Sequence, residues 1–160
     1  FQASESEELI AVGTVIPEEG DTQIYKGRIL LFKIDNNSGK LTLCAERTLE
    51  GGIFSLKQFD GKLVAGINGT VSLFEYKDST ITELASCSGN IIALHFATRG
   101  NICAVGDLMR SVSVVHWNEG TKEFSEIARD YSPNWMTALE VMSDDTFIGG
   151  ESFFNIFTVL

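Results

Sequence analysis

Short runs in which apolar and polar residues alternate follow one another along the chain, and turn residues separate them. Such alternation places every second side chain on the same face of an extended backbone, so each run predicts a β-strand. Pairs such as Asp60-Gly61 and Asn68-Gly69 favour tight hairpin turns. No stretch keeps the period of an amphipathic helix, and the pattern predicts an all-β chain. The predicted strands are Glu8–Ile16, Arg28–Ile34, Leu41–Thr48, Ile53–Phe59, Lys62–Ile67, Val71–Tyr76, Ile81–Cys87, Ile91–Thr98, Asn101–Gly106, Val112–Trp117, Phe124–Asp130, Met136–Met142, Thr146–Gly150 and Phe154–Val159.

The predicted strands also repeat as a group. Gly66, Gly106 and Gly150 are spaced by 40 and 44 residues, and each ends an apolar run and precedes another strand. Val12-Gly13 fits as an earlier copy, before an inserted segment at 17–26. A four-strand repeat of about 40 residues is the size of one β-propeller blade. We expect the glycines to serve close packing near a crowded axis rather than ligand binding.

The repeat predicts that residues 1–160 form a partial β-propeller. About three to four consecutive four-stranded blades fit the chain, one of them incomplete, whereas a closed ring needs about 4–8. We therefore expect an open arc, with the natural chain extending on both sides. A β-sandwich, which also has short strands at regular spacing, is the alternative.

Composition narrows the functional classes. The chain has a net charge of −10, which repels phosphates and disfavours direct binding of nucleic acid. The chain has three cysteines, an odd number, and none lies in a CxxC pair: Cys44, Cys87 and Cys103. This argues against a disulfide framework or a zinc site, and it favours a reducing compartment. No apolar run reaches the roughly 18 residues that span a membrane, so no membrane partner is expected.

Catalytic signatures are missing from the sequence. His95 and His116 lie on separate predicted strands and lack the spacing of a metal site. No nucleophile motif or phosphate-binding loop accompanies them, so we expect no catalytic residue, metal or cofactor, and no enzyme. An enzyme with its active site in the propeller channel is the competing class, and it requires converging carboxylates or histidines.

Two predicted loops differ from plain turns. The segment Gly106–Ser111 carries Leu108, Met109 and Arg110 where the preceding repeat has a minimal turn, and the segment Asp130–Trp135 ends on a tryptophan. These side chains either pack into the blades, with Arg110 paired to an acid, or face a partner protein, for which arginine and large apolar residues are typical anchors. Equivalent loops of a propeller open on the same end, so both segments and Ile91–His95 could form one patch.

The same residues resemble a known family. The chain is similar to the large subunit of the damaged-DNA-binding complex, in the damage-specific DNA-binding protein and cleavage-and-polyadenylation factor A family. That subunit is the adaptor of cullin-4 RING ubiquitin ligases. The resemblance implies a seven-bladed propeller, with this chain in the third of three. The segments that carry it are Gly106–Ser111, Glu126–Asp130, Pro133–Met136, Val15–Phe32, Gly61–Gly66 and Phe147–Phe157.

The resemblance implies a docking role in DNA repair and protein ubiquitination. Substrate receptors of WD-repeat type, including the small subunit of the damaged-DNA-binding complex, would dock on this propeller. Cullin-4 would bind a propeller not in this chain, DNA would be reached only through a partner, and the protein would occupy nucleus and cytoplasm. The receptor-facing positions carried over are Ile92, Leu94, His95, Leu108, Arg110 and Trp135, with Glu19, Gly20 and Asp21.

This chain departs from the family pattern at two of those positions. Methionine is usual where Ile92 stands and tyrosine where His95 stands, so receptor preference stays open. His95 could also add pH sensitivity, because imidazole titrates near neutral pH. A related scaffold in pre-mRNA cleavage, polyadenylation or splicing is the alternative function. A protein that binds damaged DNA directly is a further one, and the acidic charge argues against it.

Overall fold

The computed structural model describes residues 1–4, 7–17 and 26–159, and within these ranges the backbone forms strands and turns without a helix. It follows that no helix of the described part is available to cross a membrane. The strands are β1 (Gln2–Ser4), β2 (Glu7–Glu8), β3 (Ile10–Gly13), β4 (Lys26–Ile34), β5 (Leu41–Glu50), β6 (Ile53–Phe59), β7 (Lys62–Ile67), β8 (Thr70–Lys77), β9 (Thr80–Ser88), β10 (Ala93–Arg99), β11 (Ile102–Asp107), β12 (Val112–Asn118), β13 (Glu123–Arg129), β14 (Met136–Val141), β15 (Phe147–Glu151) and β16 (Ile156–Val159).

Consecutive strands pair antiparallel into four sheets of three or four strands, beside the short β1–β2 ribbon. Blade 1 contains β3 to β5, blade 2 contains β6 to β9, blade 3 contains β10 to β13 and blade 4 contains β14 to β16. Each blade is therefore an up-and-down meander built from neighbours in sequence, as the alternating pattern predicts.

The blades stack face to face in chain order. One core lies between blades 1 and 2, around Leu31 and Phe74, and a second lies between blades 2 and 3, around Leu73 and Val105. A third core lies between blades 3 and 4, around Val112 and Met136. A β-sandwich has a single core between two sheets, whereas here successive sheets share successive cores. The predicted all-β arc of consecutive propeller blades is confirmed, while the number of blades in a complete ring stays a prediction.

The first strands of neighbouring blades, β6, β10 and β14, pack against one another. Each carries a β-bulge at the corresponding place, between Ile53 and Ser55, between Ala93 and His95, and between Met136 and Ala138. A bulge inserts one residue and bends the strand locally. The repeated irregularity marks the blades as copies of one unit.

Several predicted strand ends were wrong. The predicted strand Glu8–Ile16 is divided, because β2 ends at Glu8, β3 covers Ile10–Gly13, and Ile16 makes only an isolated bridge to Lys26. Strand β16 begins at Ile156 rather than Phe154, since Phe154 has a left-handed φ of 68° that belongs to a turn.

Candidate functional site

Three connections meet at one end of blade 3. They are the segment 89–92 before β10, the segment 107–111 between β11 and β12, and the segment 130–135 between β13 and β14. Antiparallel pairing brings the start of β10, the end of β11 and the end of β13 to the same end of the sheet. We call the surface formed by these three connections the blade-3 face.

A buried carboxylate organises the 107–111 connection. Asp107 is fully buried, and its Oδ1 accepts hydrogen bonds from the backbone N–H groups of Met109 and Arg110, each at 2.9 Å. Its Oδ2 accepts one from the N–H of Ile91 at 2.6 Å, and the N–H of Leu108 donates to the carbonyl of Ile92 at 3.0 Å. The first two segments of the face are therefore hydrogen-bonded to each other.

Ser111 connects the third segment. This buried residue has a left-handed φ of 56°, which reverses the chain into β12. Its N–H donates to the carbonyl of Asn134 at 2.9 Å, and its hydroxyl donates to Asp130 Oδ2 at 2.6 Å and accepts from Asn134 Nδ2 at 3.2 Å. The hydrogen bond from Ser111 lowers the pKa of Asp130, with a smaller contribution from Ser132, although burial partly opposes it.

Two arginines hold the 89–92 segment. Arg110 Nη1 donates to the carbonyl of Gly89 at 2.5 Å, and Arg129 Nη2 lies 3.4 Å from Asn90 Oδ1. Arg129 also donates to both carboxylate oxygens of Glu126, which raises the pKa of Arg129. Within residues 26–159, no ion pair includes Arg110. The sequence analysis allowed Arg110 to pair with an acid, but in these ranges its guanidinium donates to the backbone carbonyl of Gly89 instead. The guanidinium is exposed and keeps further N–H donors.

Large apolar side chains on this face remain in contact with solvent. Trp135 is 45% exposed, Met109 39% and Tyr131 85%. A concavity of about 180 Å³ lies between the 109–110 and 129–133 residues. Exposed aromatic and methionine side chains next to arginine have the composition of a protein-binding surface.

The carried-over residues fall into two groups. Ile92, Leu108, Arg110 and Trp135 lie on the connections of the blade-3 face, with Ile92 and Leu108 half-buried. Leu94 and His95 lie on β10 and are half-buried, and the bulge between Ala93 and His95 includes Leu94. The structure places all six at one end of the sheet, whereas Glu19, Gly20 and Asp21 lie outside the described residues.

The other histidines and cysteines of the described ranges lie apart from the blade-3 face or are buried. In the described ranges, no group of three histidine, cysteine, aspartate or glutamate side chains is arranged to hold a metal. His116 lies 2.8 Å from Asn101 Nδ2, and it pairs with Ile102 on β11 rather than with the blade-3 face. Burial raises the pKa of the Cys103 thiol well above its ordinary value, so this thiol stays protonated at neutral pH.

Sequence reasoning missed the polar residues that shape the face. The sequence pattern predicts Asp107, Ser111 and Asn134 as loop residues and Asp130 as the end of a strand, whereas in the structure these four hold the three connections together. An aspartate at the end of an apolar strand, followed by a connection longer than a two-residue turn, is the signal that could have identified Asp107.

Comparison with known proteins places the chain in a family. It matches the family described as the CPSF A subunit region along residues 1–160. It is 44% identical over 155 residues to DNA damage-binding protein 1b of Arabidopsis thaliana, a match that covers 92% of this chain and 14% of that protein. It is 41% identical over 165 residues to DNA damage-binding protein 1 of Solanum lycopersicum, which covers 98% of this chain and 15% of that protein.

A rice protein gives the same result. DNA damage-binding protein 1 of Oryza sativa subsp. japonica is 41% identical over 155 residues, and the chain spans 14% of its length. The chain therefore covers a small part of these relatives, and the resemblance inferred from the sequence is confirmed. From the match along its whole length, the chain belongs to the CPSF A subunit region family.

Proposed function

We propose that this chain is a scaffold segment on which substrate receptors of WD-repeat type dock, in an adaptor that joins them to a cullin-4 RING ubiquitin ligase in DNA repair. Cullin-4 would bind elsewhere in the full-length protein, and DNA would be reached through a receptor such as the small subunit of the damaged-DNA-binding complex. The proposal includes a position in the third propeller and residence in nucleus and cytoplasm.

The blade-3 face is the observation that carries the proposal. Met109 and Tyr131 line a concavity with the exposed residue Arg110, and Trp135 is exposed on the same face. Hydrogen bonds hold the backbone and side chain of Arg110 in place. Such a preorganised patch can bury apolar side chains of a partner while Arg110 donates to its carboxylates or carbonyls. The names of the relatives support a role in DNA damage without specifying the partner.

The test is receptor binding by the full-length protein. We expect Arg110→Ala and Trp135→Ala each to weaken binding of a purified WD-repeat receptor by about 2–4 kcal/mol, because central Arg and Trp anchors carry most interface energy. Ile92→Ala combined with Leu94→Ala should also weaken it. Lys40→Ala, which removes an exposed cation from the blade 1 hairpin, serves as the control.

Normal binding of several receptors by both single variants would refute the docking role. Mass spectrometry of proteins that co-purify with the full-length protein separates the two scaffold functions. Cullin and WD-repeat receptors support the ligase adaptor. Cleavage, polyadenylation or splicing factors instead support the pre-mRNA scaffold that the family description also allows.

A further inference from the structure

We infer that Asp107 is the positioning residue of the blade-3 face: its carboxylate joins the segment before β10 to the connection that carries Arg110, and receptor affinity depends on that junction. The inference rests on the proposed docking function and adds to it a residue that touches no receptor.

The hydrogen bonds of Asp107 extend across two segments. Oδ1 accepts from the N–H groups of Met109 and Arg110, and Oδ2 accepts from the N–H of Ile91. Both oxygens must accept, because the N–H of Ile91 approaches from a different segment than those of Met109 and Arg110. A carboxylate has two acceptor oxygens, whereas an amide has one acceptor oxygen and one NH₂ donor.

Blade 2 shows what happens where the connection is short. Strand β7 ends at Ile67, and the turn between Ile67 and Thr70 contains only Asn68 and Gly69. Asn68 Oδ1 accepts from the N–H of Gly52, in the segment before β6, at 3.0 Å. The amide oxygen of Asn68 is a sufficient acceptor for this N–H of the incoming segment. The longer connection of blade 3 adds the N–H groups of Met109 and Arg110, and these take the second oxygen of Asp107.

Blade 4 shows the complementary case. Glu151 at the end of β15 is also a buried carboxylate, and it accepts from the N–H groups of Phe153 and Asn155 and from Asn155 Nδ2. All of these donors belong to its own connection. Among the described residues, Asp107 is thus the carboxylate at a strand end that holds its own connection and the incoming segment together.

The consequence for Arg110 is geometric. Its backbone N–H is held by Asp107, and its guanidinium donates to Gly89 in the segment that Asp107 holds through Ile91. Loss of one Asp107 oxygen as an acceptor leaves a donor unsatisfied and weakens the junction, which the backbone hydrogen bond from Leu108 to Ile92 then holds with less support. The anchor residue then remains present but loses its position for the partner.

The test is a double-mutant cycle in the full-length protein with a purified WD-repeat receptor. Asp107→Asn should weaken receptor binding about tenfold or more, and its combination with Arg110→Ala should cost far less than the product of the two single effects. Glu151→Gln is the matched control, a buried carboxylate changed to its amide at the equivalent place, and it should change affinity less than about twofold relative to wild type.

The outcomes separate the two claims. If Asp107→Asn binds the receptor with wild-type affinity, the positioning role is overturned and the docking proposal survives. The same holds if the double variant loses affinity by the product of the two single effects. Normal binding by both Arg110→Ala and Trp135→Ala refutes docking and this inference with it. If Asp107→Asn does not fold, amide exchange in the wild-type protein decides. The amides of Ile91, Met109 and Arg110 should have similar protection factors. Protection factors that differ by more than about tenfold would show that the two segments open independently and would overturn the positioning role.

Discussion

Ser111 illustrates how one small side chain fixes a loop on this protein. Its hydroxyl both donates to Asp130 and accepts from Asn134, while its backbone adopts a left-handed φ. The connection into blade 4 is thereby held by side-chain contacts rather than by strand pairing. Such buried networks are costly to break in part, because a removed partner leaves a desolvated group unsatisfied.

Replacing Ser111 should loosen the third segment of the blade-3 face. We expect Ser111→Ala to reduce local stability by about 1–3 kcal/mol, since it removes a hydrogen bond to a charged group and an acceptor for Asn134. Faster amide exchange at residues 130–135 of the full-length protein, with blade 2 unchanged, is the measurement. Unchanged exchange in that segment would show that the network does not hold it.

The pH dependence of that segment follows from the lowered pKa of Asp130. A group whose pKa is lower in the folded state contributes stability above its ordinary value, here 3.8, and that stability is lost as pH falls through the folded pKa. We therefore expect amide protection at residues 130–135 to fall in wild type below about pH 4. Asp130→Asn should lack this acid-dependent component, and an identical loss in both proteins would exclude Asp130 as its source.

At the scale of the strand, close approach between blades depends on residues without a Cβ. A Cβ built at Gly66 on β7 would lie 2.4 Å from the carbonyl oxygen of Ala93 on β10, in the next blade. At Gly120, in the exposed hairpin between β12 and β13, the nearest atom would be the side-chain Oδ1 of Asn118 at 3.4 Å. Gly66 thus has a packing role between blades that the hairpin glycine does not share.

This difference gives a matched pair of substitutions. Gly66→Ala should destabilise the interface of blades 2 and 3 by about 1–3 kcal/mol or more, because backbone atoms must shift to relieve the overlap. Gly120→Ala should have little effect, because Gly120 lies in an exposed hairpin. Amide exchange along β7 and β10 in the full-length protein reports the change, and equal behaviour of the two variants would contradict the packing role.

The strands could be predicted from sequence because alternation and turn residues are local. The inner strand β11, with Cys103, Ala104 and Val105 buried together, reads directly as an apolar run. The start of β16 could not be predicted from the apolar pattern, which continues through Phe154. Phe154 adopts a left-handed φ because it lies in the turn whose backbone N–H groups bond to Glu151. The resemblance predicts Arg110 and Trp135 as receptor-facing residues. The contacts of Asp107 could not be predicted, because they depend on which backbone donors surround it in three dimensions.

At the scale of the whole chain, the described residues form three cores in series between four blades. Each blade contacts its neighbours in sequence, so the arrangement is close to one-dimensional. Connections at one end touch from blade to blade, as where the N–H of Asn90 donates to the carbonyl of Gly69. The blade-3 face lies at that end, and the hairpin with Thr121 lies at the opposite end of the same blade. Partner binding should therefore distinguish the two ends.

The most direct measurement is photo-crosslinking from these two ends in the full-length protein bound to a WD-repeat receptor. A photoreactive amino acid at Met109, which is exposed on the blade-3 face, should form a covalent link to the receptor. The same group at exposed Thr121 should not. Crosslinks from Thr121 alone, or from neither position in a complex of confirmed composition, would contradict docking on the blade-3 face.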